Sequence, residues 1–364
     1  MARLDVKIPE VSADSYPIFI ETGSLCGVWE RLQADYPKLG KFVVTDANVV
    51  AAGHLATLIG DNTPPVYSID PPGEISKHIH TVIAIIEQLE KAFFGRDTLI
   101  IALGGGTVGD IAGFAGAIFK RGVKVIQIPT TTVSQADSSV GGKTGVDSSI
   151  SKNAFGAFWQ PEAVFIDVET LLTLDDREYR AGLIEGVKHA LIADNEYFEF
   201  FEQNIDAILS RQMDVLGKIA MKNCRIKASV VEKDPTEKNL RRILNYGHTI
   251  GHAVETASGF ELLHGECVAI GMIGAAMIEQ QIGLGDDRVA RIEKILRKLQ
   301  VPVRIPAEID KNQLINIVKR DKKAVNQWPK FVLLEEIGKV HCKNGQWAVD
   351  VSREMVEKTI TDLY

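Results

Sequence analysis

Cysteine is scarce in this chain, with four among 364 residues. Cys26, Cys224, Cys267 and Cys342 are far apart, and no two of them form a CxxC pair. Such spacing argues against a disulfide framework and against a thiolate metal site. The pattern is typical of reduced, mostly buried thiols in a cytosolic protein.

Long hydrophobic runs are also missing. The longest, Cys267 to Ile278, has 12 residues including two glycines, and it is too short to cross a bilayer. The first residues, MARLDVKIPEVSADSYPIFI, lack the apolar segment of a signal peptide and include acidic residues that transit peptides avoid. We therefore expect a cytoplasmic protein that does not act at a membrane.

Positive charge is dispersed, because no run of Lys and Arg exceeds two residues and the net charge is −7. This distribution disfavours a nucleic-acid partner, and any anionic ligand must be met by local cations. Hydrophobic residues make up 45% and charged residues 24% of the chain, as in folded globular proteins. The length predicts two domains.

Short β-branched runs alternate with helical stretches in the first half of the chain. The runs are YPIFIE, KFVVTD, PVYSID and TLIIALGGG, and a helix-period segment, Ile75 to Phe94, precedes the last of them. This alternation predicts a parallel sheet covered by helices. A ligand should then lie at the carboxyl ends of the strands.

The turn GGGTVGD follows the last of these strands and precedes a helix. Gly104, Gly106 and Gly109 match G-x-G-x-x-G, which lets backbone N–H groups approach a pyrophosphate. Glycines also serve plain tight turns, and the acidic residue expected about 20 positions later is missing, because VIQIPTTT ends in threonines. Asp46 and Glu74 are alternative ribose partners.

Residues 128 to 161 are rich in hydroxyls and glycines and lack a clear helix or strand period. A loop of this length is usually functional or disordered. Its lysines, Lys143 and Lys152, lie among glycines and small polar residues, which suits a phosphate or carboxylate ligand. The alternative is a solvated surface loop.

The second half of the chain is predicted to be mostly helical. Helices are expected over Tyr197 to Leu209, Val215 to Glu232 and Asp287 to Leu299, with the boundary between Thr170 and Arg180. We therefore predict a Rossmann-like α/β domain over residues 1–175 and an α-helical domain over residues 176–364.

Three of the eight histidines fall within 17 residues, in LNYGHTIGHAVETASGFELLHGE. His248 and His252 are four apart and share one helical face, and His264 follows. Neutral imidazoles suit zinc, and catalytic zinc commonly takes three protein ligands. Any of the three could instead be an ordinary core or surface histidine. A further ligand would come from elsewhere, and Glu185, three residues before Lys188, is the best candidate, although such a pair is more often a surface ion pair.

Together these motifs resemble those of the 3-dehydroquinate synthase family over roughly Tyr16 to Gly338. The matching stretches are PPGEISK, GGGTVGD, QADSSVGGKTGVD, KNAFGAFWQP, GLIEGVKHALI, EKDPTEKNLRRILNYGHTIGHAVE, HGE and DKK followed by FVLLEEIG. Within the wider sugar-phosphate cyclase group, DSSVGGKTG and SKNAFGAF favour the dehydroquinate enzyme. The loop Ala324 to Lys330 departs from the family by lacking a glycine.

The resemblance implies a role for individual positions. It assigns zinc or cobalt to Glu185, His248 and His264, and catalytic roles to His252, Lys188, Asp137 and Glu237. Substrate binding falls to Arg121, Lys143, Lys152, Asn153, Lys227, Arg241, Asn245 and Lys323, with Lys322 as the alternative to Lys323. NAD binding falls to Asp46, Glu74, Lys77, Gly105, Gly106, Asp110, Thr130, Thr131, Thr170, Leu171, Leu172 and Thr173.

The implied reaction converts 3-deoxy-D-arabino-heptulosonate 7-phosphate, a phosphorylated sugar acid, to 3-dehydroquinate and phosphate in the shikimate pathway. Family members are dimers in which the residue matching Arg121 reaches the neighbouring subunit's site. Three alternatives remain: a sister cyclase acting on sedoheptulose 7-phosphate, a metal-dependent polyol dehydrogenase, and a non-catalytic NAD-sensing module.

Overall fold

The computed structural model describes residues 15–285, 288–319 and 328–364. Its strands, in chain order, are β1 (Ile18–Glu21), β2 (Gly40–Asp46), β3 (Val66–Ile69), β4 (Thr98–Gly104), β5 (Lys124–Pro129), β6 (Lys143–Val146), β7 (Phe155–Phe158), β8 (Ala163–Asp167), β9 (Lys330–Phe331), β10 (Leu334–Glu336), β11 (Lys339–Val340) and β12 (Val349–Asp350).

The α-helices are α1 (Leu25–Asp35), α2 (Ala47–Ala51), α3 (His54–Ile59), α4 (Ile79–Lys91), α5 (Gly106–Ile118), α6 (Asp176–Ala193), α7 (Asn195–Leu209), α8 (Met213–Lys233), α9 (His248–Ala257), α10 (His264–Gln281), α11 (Arg288–Lys298), α12 (Lys311–Lys319) and α13 (Arg353–Asp362). Within the described residues, no helix is both long and apolar enough to span a membrane.

A six-stranded sheet in the order β1-β8-β5-β4-β2-β3 organises the first half of the chain. All of its pairings are parallel, so the predicted sheet is confirmed. The chain moves outward from β2 to β3 on one side, and from β4 to β5 and β8 on the other. The reversal between β2 and β4 is the place where such sheets bind ligands, at the carboxyl ends of the strands.

The sheet separates two apolar cores because successive strand side chains point to opposite faces. On β4, Ile100 and Ala102 pack into the core covered by α4 and α5. Leu99, Ile101 and Leu103 pack into the core on the other face, which α1 and α3 cover. Strands buried on both faces read as continuous apolar runs, which is how TLIIAL could be recognised in the sequence.

The helical half is built around α6 and α10, which are buried over most of their length. Close approach of the backbones depends on glycine. A Cβ at Gly265 would lie 1.8 Å from the carbonyl oxygen of Ala181 on α6, and one at Gly271 would lie 1.9 Å from that of Gly247, just before α9. The first contact brings the beginning of α10 against α6, and the second brings the residue before α9 against α10.

The helix predicted over Ile75 to Phe94 is shorter than expected. A 3₁₀ turn spans Glu74–Ser76, and α4 begins only at Ile79. The imidazole of His78 accepts a hydrogen bond from the Thr81 N–H group and so caps the helix at this point. Histidine is not among the preferred N-cap residues, so the start of this helix could not be recognised from its cap.

Residues 128 to 161 were expected to be a loop, and that prediction was wrong in part. The segment contains a π-helical turn, Ser134–Ser138, and an antiparallel hairpin of β6 and β7. Gly145 opposes Gly156 in this hairpin, where a Cβ on Gly145 would lie 2.5 Å from the carbonyl oxygen of Phe155. Strands that need glycine for close contact lack the usual β-branched pattern.

The predicted helices of the second half are confirmed with small shifts at their ends. For Glu185 and Lys188, the alternative of a surface ion pair is wrong, because the two side chains are only 2% and 1% exposed. Short strands β9 to β12 were not predicted. Asp287, Lys322, Lys323 and most of the loop Ala324 to Lys330 lie outside the described residues.

Replacing Gly271 by Ala should lower the free energy of unfolding by about 3 kcal/mol, because the added methyl group would clash with backbone atoms that cannot move independently. Gly217 in α8 is a matched control, since a Cβ there meets nothing within 4 Å. Gly217→Ala should raise stability by about 0.5–1 kcal/mol through helix propensity alone. Urea midpoints of both variants test this, and a Gly271→Ala protein as stable as the wild type would contradict it.

Candidate active site

Three helices bring Glu185, His248 and His264 together. Oε1 of Glu185, on α6, lies 3.7 Å from Nε2 of His248 and 3.6 Å from Nε2 of His264. The two histidines are the first residues of α9 and α10. Among the described residues, this buried Oε1 has no hydrogen-bond partner, while Oε2 accepts from Nζ of Lys188. The arrangement leaves an anionic oxygen facing two imidazole nitrogens.

His252 offers a competing set of ligands. Ligand atoms of His248, His252 and His264 lie within 4.8 Å of one another. His252 is exposed to solvent, however, whereas Glu185 is buried with an unsatisfied oxygen. A buried unpaired carboxylate oxygen is costly unless a cation meets it. The Glu185 set is therefore the better candidate for a metal site.

The outer nitrogens of the two histidines have partners of their own. Nδ1 of His248 lies 3.0 Å from the carbonyl oxygen of Tyr246, which can only accept a hydrogen bond, so this nitrogen carries the proton. Nδ1 of His264 lies 3.6 Å from Oε2 of Glu255, too long for a good hydrogen bond but close enough for an ion pair. Partners of this kind turn the Nε2 lone pairs towards a shared ligand.

The pKa values of Glu185, His248 and His264 are shifted by burial and by neighbouring charges. Burial raises the pKa of Glu185, but Lys188 and the two histidines outweigh this effect and hold the pKa well below its usual value. Burial and Lys188 hold the pKa of His248 well below its usual value, so this imidazole is neutral. Burial lowers the pKa of His264, yet its two carboxylate neighbours raise it to about 9. A metal ion must therefore displace a proton from His264.

Four lysines in this region are each paired with a carboxylate of the protein. Lys188 contacts Glu185, and Lys143 contacts Glu237. Lys227 lies 2.7 Å from Oδ1 of Asp137, and Lys152 lies 3.1 Å from both Glu255 and Glu74. The predicted substrate-binding lysines that the structure describes, Lys143, Lys152 and Lys227, thus have internal counter-ions.

Asp137 lies at the centre of a second, adjoining cluster. Its carboxylate contacts Lys227 and lies 3.7 Å from Nε2 of the buried His189. Burial raises the pKa of Asp137, but Lys227 and Lys188 outweigh it and hold the pKa well below its usual value. Burial lowers the pKa of Lys227, and Asp137 offsets this only in part. Ligand atoms of Asp137, Glu185 and His189 lie within 4.8 Å of one another, so the two clusters are continuous.

Arg241 fixes the turn before β6. Its guanidinium donates to the carbonyl oxygens of Gly141 and Pro235, at 3.1 and 2.6 Å. A Cβ on Gly141, where φ is +94°, would lie 2.5 Å from this guanidinium, so only glycine fits there. Asn245 donates to Oε1 of Glu237 at 3.0 Å, beside the contact of Glu237 with Lys143.

Three residues of the predicted site are among the nine described non-glycine residues with a positive φ. Asn153 and Glu237 have φ values of +50° and +57°, a region that non-glycine residues seldom adopt. Arg121 has φ of +72° and follows Lys120 at +51°. Such outliers concentrate at functional sites, where the surrounding structure holds them in place.

The glycine turn lies at the reversal of the sheet. Gly105 caps α5, which begins at Gly106 directly after β4. A Cβ on Gly105 would lie 3.0 Å from the side chain of Thr131, and one on Gly106 would lie 3.0 Å from that of Ser138. The first backbone N–H groups of α5 thus point to the carboxyl edge of the sheet, as an anion site requires.

The other predicted cofactor residues follow the same edge. Asp46 ends β2 and caps α2 by accepting from the Val49 N–H group. Lys77 lies 2.7 Å from Asp110. Thr130 and Thr131 follow β5, and Thr170, Leu171, Leu172 and Thr173 form a 3₁₀ turn after β8. Glu74 contacts Lys152, which also contacts Glu255 beside His264, and this chain of contacts connects the edge with the histidine cluster.

Arg121 is not brought to the cluster by its own chain. It follows the carboxyl end of α5, whose 13 residues place it about 20 Å from the glycine turn. The next strand, β5, starts from this opposite edge of the sheet. The exposed Arg121 forms no ion pair with the described residues. Lys323 lies outside the described residues, so its position stays a prediction.

Sequence reasoning missed Glu255 and His189. Glu255 follows His248 by seven residues and His252 by three, so helical spacing places all three on one face, and this signal was available. His189 lies beside Lys188 in the sequence, but its contact with Asp137 spans two distant segments. No local pattern could have indicated it.

Comparison with known proteins extends over most of the chain. A family model described as 3-dehydroquinate synthase N-terminal matches residues 68–181, and one described as 3-dehydroquinate synthase C-terminal matches residues 182–324. The 3-dehydroquinate synthase of Ruminiclostridium cellulolyticum is 42% identical over 368 aligned positions, which cover 96% of each chain.

Two solved structures share the whole fold. One is 2-deoxy-scyllo-inosose synthase complexed with carbaglucose-6-phosphate, NAD+ and Co2+, with a TM-score of 0.85, 28% identity and coverage of 95% of this chain and 96% of that one. The other is 2-epi-5-epi-valiolone synthase from Streptomyces hygroscopicus with NAD+ and Zn2+ bound, with a TM-score of 0.86, 26% identity and coverage of 98% and 99%. The resemblance of the motifs is confirmed, and the chain belongs to the 3-dehydroquinate synthase family.

Proposed function

We propose that this chain converts 3-deoxy-D-arabino-heptulosonate 7-phosphate to 3-dehydroquinate and inorganic phosphate, with NAD and zinc or cobalt as cofactors. The principal support is the unpaired, buried Oε1 of Glu185, which faces two histidine nitrogens beside a group of lysines. The cofactors bound to the two cyclases of known structure support the same choice.

The residues present fit a zinc ion. Two ligands at zinc bond lengths in a tetrahedral site lie about 3.3–3.4 Å apart. The distances from Oε1 of Glu185 to the two Nε2 atoms are 3.6 and 3.7 Å, so small side-chain movements suffice. We assign Glu185, His248 and His264 as ligands, which leaves a fourth position for the substrate. Cobalt fits the same donors.

The residues at the carboxyl edge of the sheet fit NAD. Gly105 and Gly106 are assigned to the pyrophosphate and Asp46 to the adenosine ribose, with Glu74, Lys77, Asp110 and the Thr130, Thr131 and Thr170–Thr173 backbones around the cofactor. When bound, NAD supplies a transient hydride acceptor and the metal ion acidifies and aligns the substrate's hydroxyl groups.

Cationic and amide side chains bind the substrate's two anionic groups. We assign Lys143, Lys152, Asn153, Lys227, Arg241, Asn245 and Lys323 to its phosphate and carboxylate. Lys143, Lys152 and Lys227 would exchange their carboxylate partners in the protein for the substrate's anionic groups, so each ammonium would face a comparable negative charge in either state. A substrate that carries both a phosphate and a carboxylate explains why a chain with a net negative charge has several lysines in one site.

We assign proton transfer to His252, which is exposed to solvent beside the proposed metal ligands. The ring of His252 lies 5.1 Å from that of His248 and 5.8 Å from that of His264, measured between centroids, and its solvent-exposed imidazole can exchange a proton with a bound hydroxyl or phosphate oxygen. The carboxylate of Asp137 and the ammonium of Lys188 place fixed charges beside the reacting carbons. Glu237 orients Lys143 and Asn245. Ring closure then requires mainly a fixed substrate geometry.

The same proposal covers the organisation of the enzyme. We assign residues 1–175 to an NAD-binding domain and residues 176–364 to a metal- and substrate-binding domain. We further propose a cytoplasmic homodimer in which Arg121 completes the neighbouring subunit's site. The separation of Arg121 from the glycine turn of its own chain, about 20 Å along α5, supports this arrangement.

Phosphate release tests the reaction. The zinc-loaded protein with NAD should release phosphate from the heptulosonate phosphate and not from sedoheptulose 7-phosphate, which has no carboxylate for the lysines to bind. Chelation of the metal should abolish release. Turnover of sedoheptulose 7-phosphate alone would move the chain to a sister cyclase, and turnover of neither would contradict the proposed reaction.

Replacing His264 by Ala should remove metal binding while the fold persists, because the side chain supplies one of three ligands at the start of α10. Zinc per chain, measured by elemental analysis, should fall from one to near zero at unchanged circular dichroism. His80→Ala, an exposed histidine of α4, should keep its zinc. A His264→Ala protein that retained one zinc per chain would refute the ligand assignment.

Mixing two inactive variants tests the role of Arg121. Arg121→Ala and His264→Ala chains should each lack activity, yet mixed dimers would contain one intact site, formed by the metal of one chain and Arg121 of the other. Random reassociation of equal amounts should restore about a quarter of wild-type activity. Restoration should fail if Arg121 acts within its own chain. Lys120→Ala is the control for Arg121→Ala. It removes a neighbouring cation paired with Glu90, and it should stay active without a second variant.

A further inference from the structure

Glu255 joins two parts of the site that belong to different halves of the chain. Its side chain is 8% exposed and projects from α9. Oε1 accepts from Nζ of Lys152 at 3.1 Å, and Oε2 lies 3.6 Å from Nδ1 of His264. One carboxylate thus contacts both a substrate-loop lysine and a histidine of the metal cluster.

Lys152 has a second carboxylate partner and an aromatic neighbour. Its Nζ also lies 3.1 Å from Glu74, and 4.6 Å from the ring centroid of Phe260. Glu74 follows β3, Lys152 precedes β7, and Glu255 lies on α9. Lys152 therefore connects the sheet, the hairpin and the histidine helices through two ion pairs.

Each nitrogen of His264 faces a carboxylate. Glu185 lies on the Nε2 side, at 3.6 Å, and Glu255 on the Nδ1 side. A carboxylate beside Nδ1 favours the tautomer that is protonated there, which leaves the Nε2 lone pair available for a metal ion. Because Glu255 shares its charge between His264 and Lys152, anything that draws Lys152 away leaves more of that charge to His264.

We propose that Glu255 is a positioning residue that orients His264 for the metal ion and, through Lys152, makes metal binding sensitive to an anion at the substrate site. The inference rests on the metal ligands proposed above. A substrate phosphate or carboxylate that pairs with Lys152 would release Oε1 of Glu255, which strengthens the support of His264. Substrate anion and metal ion would then favour each other's binding, and this coupling is necessarily reciprocal.

The affinity for zinc, measured on the full-length protein without substrate by competition with a chromophoric chelator, tests the first part. Glu255→Gln keeps the shape but removes the charge, and it should raise the zinc dissociation constant about 10- to 100-fold, as changes in groups that support a ligand do. Glu255→Asp keeps the charge at a shorter reach and should give an intermediate value. Glu202→Gln, which removes a carboxylate from the distant pair with Arg291, should match the wild type.

Whether the loss of Lys152 strengthens or weakens zinc binding tests the proposed link between anion binding and metal binding. Lys152→Met removes the competing cation and should strengthen zinc binding, and this gain should be absent in the Glu255→Gln background. Inorganic phosphate should tighten zinc binding in the wild type and not in Glu255→Gln. A merely structural role would weaken zinc binding in both single variants and leave no such dependence.

The outcomes separate this inference from the proposed function. If the wild type binds one zinc per chain and both Glu255 variants bind it equally well, the role of Glu255 is overturned while the metal site stands. If the wild type binds no zinc, the metal site fails and the inference fails with it. Circular dichroism of Glu255→Gln checks the fold, and Glu255→Asp provides the same test if the amide variant does not fold.

Discussion

A single buried carboxylate oxygen, Oε1 of Glu185, sets the requirement that the surrounding structure meets. It lies within 3.7 Å of two histidine nitrogens, yet no donor among the described residues comes within hydrogen-bonding distance of it. Leaving such an oxygen unpaired is costly, so the arrangement makes sense as one side of a cation site. The glycines that let α10 approach α6 and the residue before α9 serve this geometry, since side chains at Gly265 or Gly271 would push the histidines away.

The positive charges near this oxygen are also compensated within the protein. Lys143, Lys152, Lys188 and Lys227 each have a carboxylate partner within the protein, so none is buried as an isolated charge. Under the proposed assignment, a substrate with two anionic groups would replace some of these partners. Affinity would then depend on the difference between two sets of ion pairs, and the internal carboxylates would be determinants of binding in their own right.

Patterns of short range predicted most of the fold. The apolar runs of β2 to β5 and the period of α4 identified the sheet and its helices, and the histidine spacing identified one face of α9. Failures occurred where glycine or an unusual cap replaced the common signal, as in the β6–β7 hairpin and at His78. The contact between Glu185 and His248 depends on the packing of helices that are far apart in the sequence, so no local sequence pattern could predict it. Family resemblance supplied the proposed set of metal ligands, but it did not indicate the carboxylate of Glu255 beside Nδ1 of His264.

The position of the three proposed ligands on separate helices has a consequence for folding. Glu185 and His264 enclose a stretch of chain that contains α7, α8 and α9. A metal ion held between them acts as a reversible cross-link that closes this large loop, and closing a loop stabilises the folded chain by the entropy that the unfolded chain would otherwise regain. The metal ion would thus be part of the fold's architecture as well as of its chemistry, and a cell short of zinc would hold a less durable protein as well as a less active one.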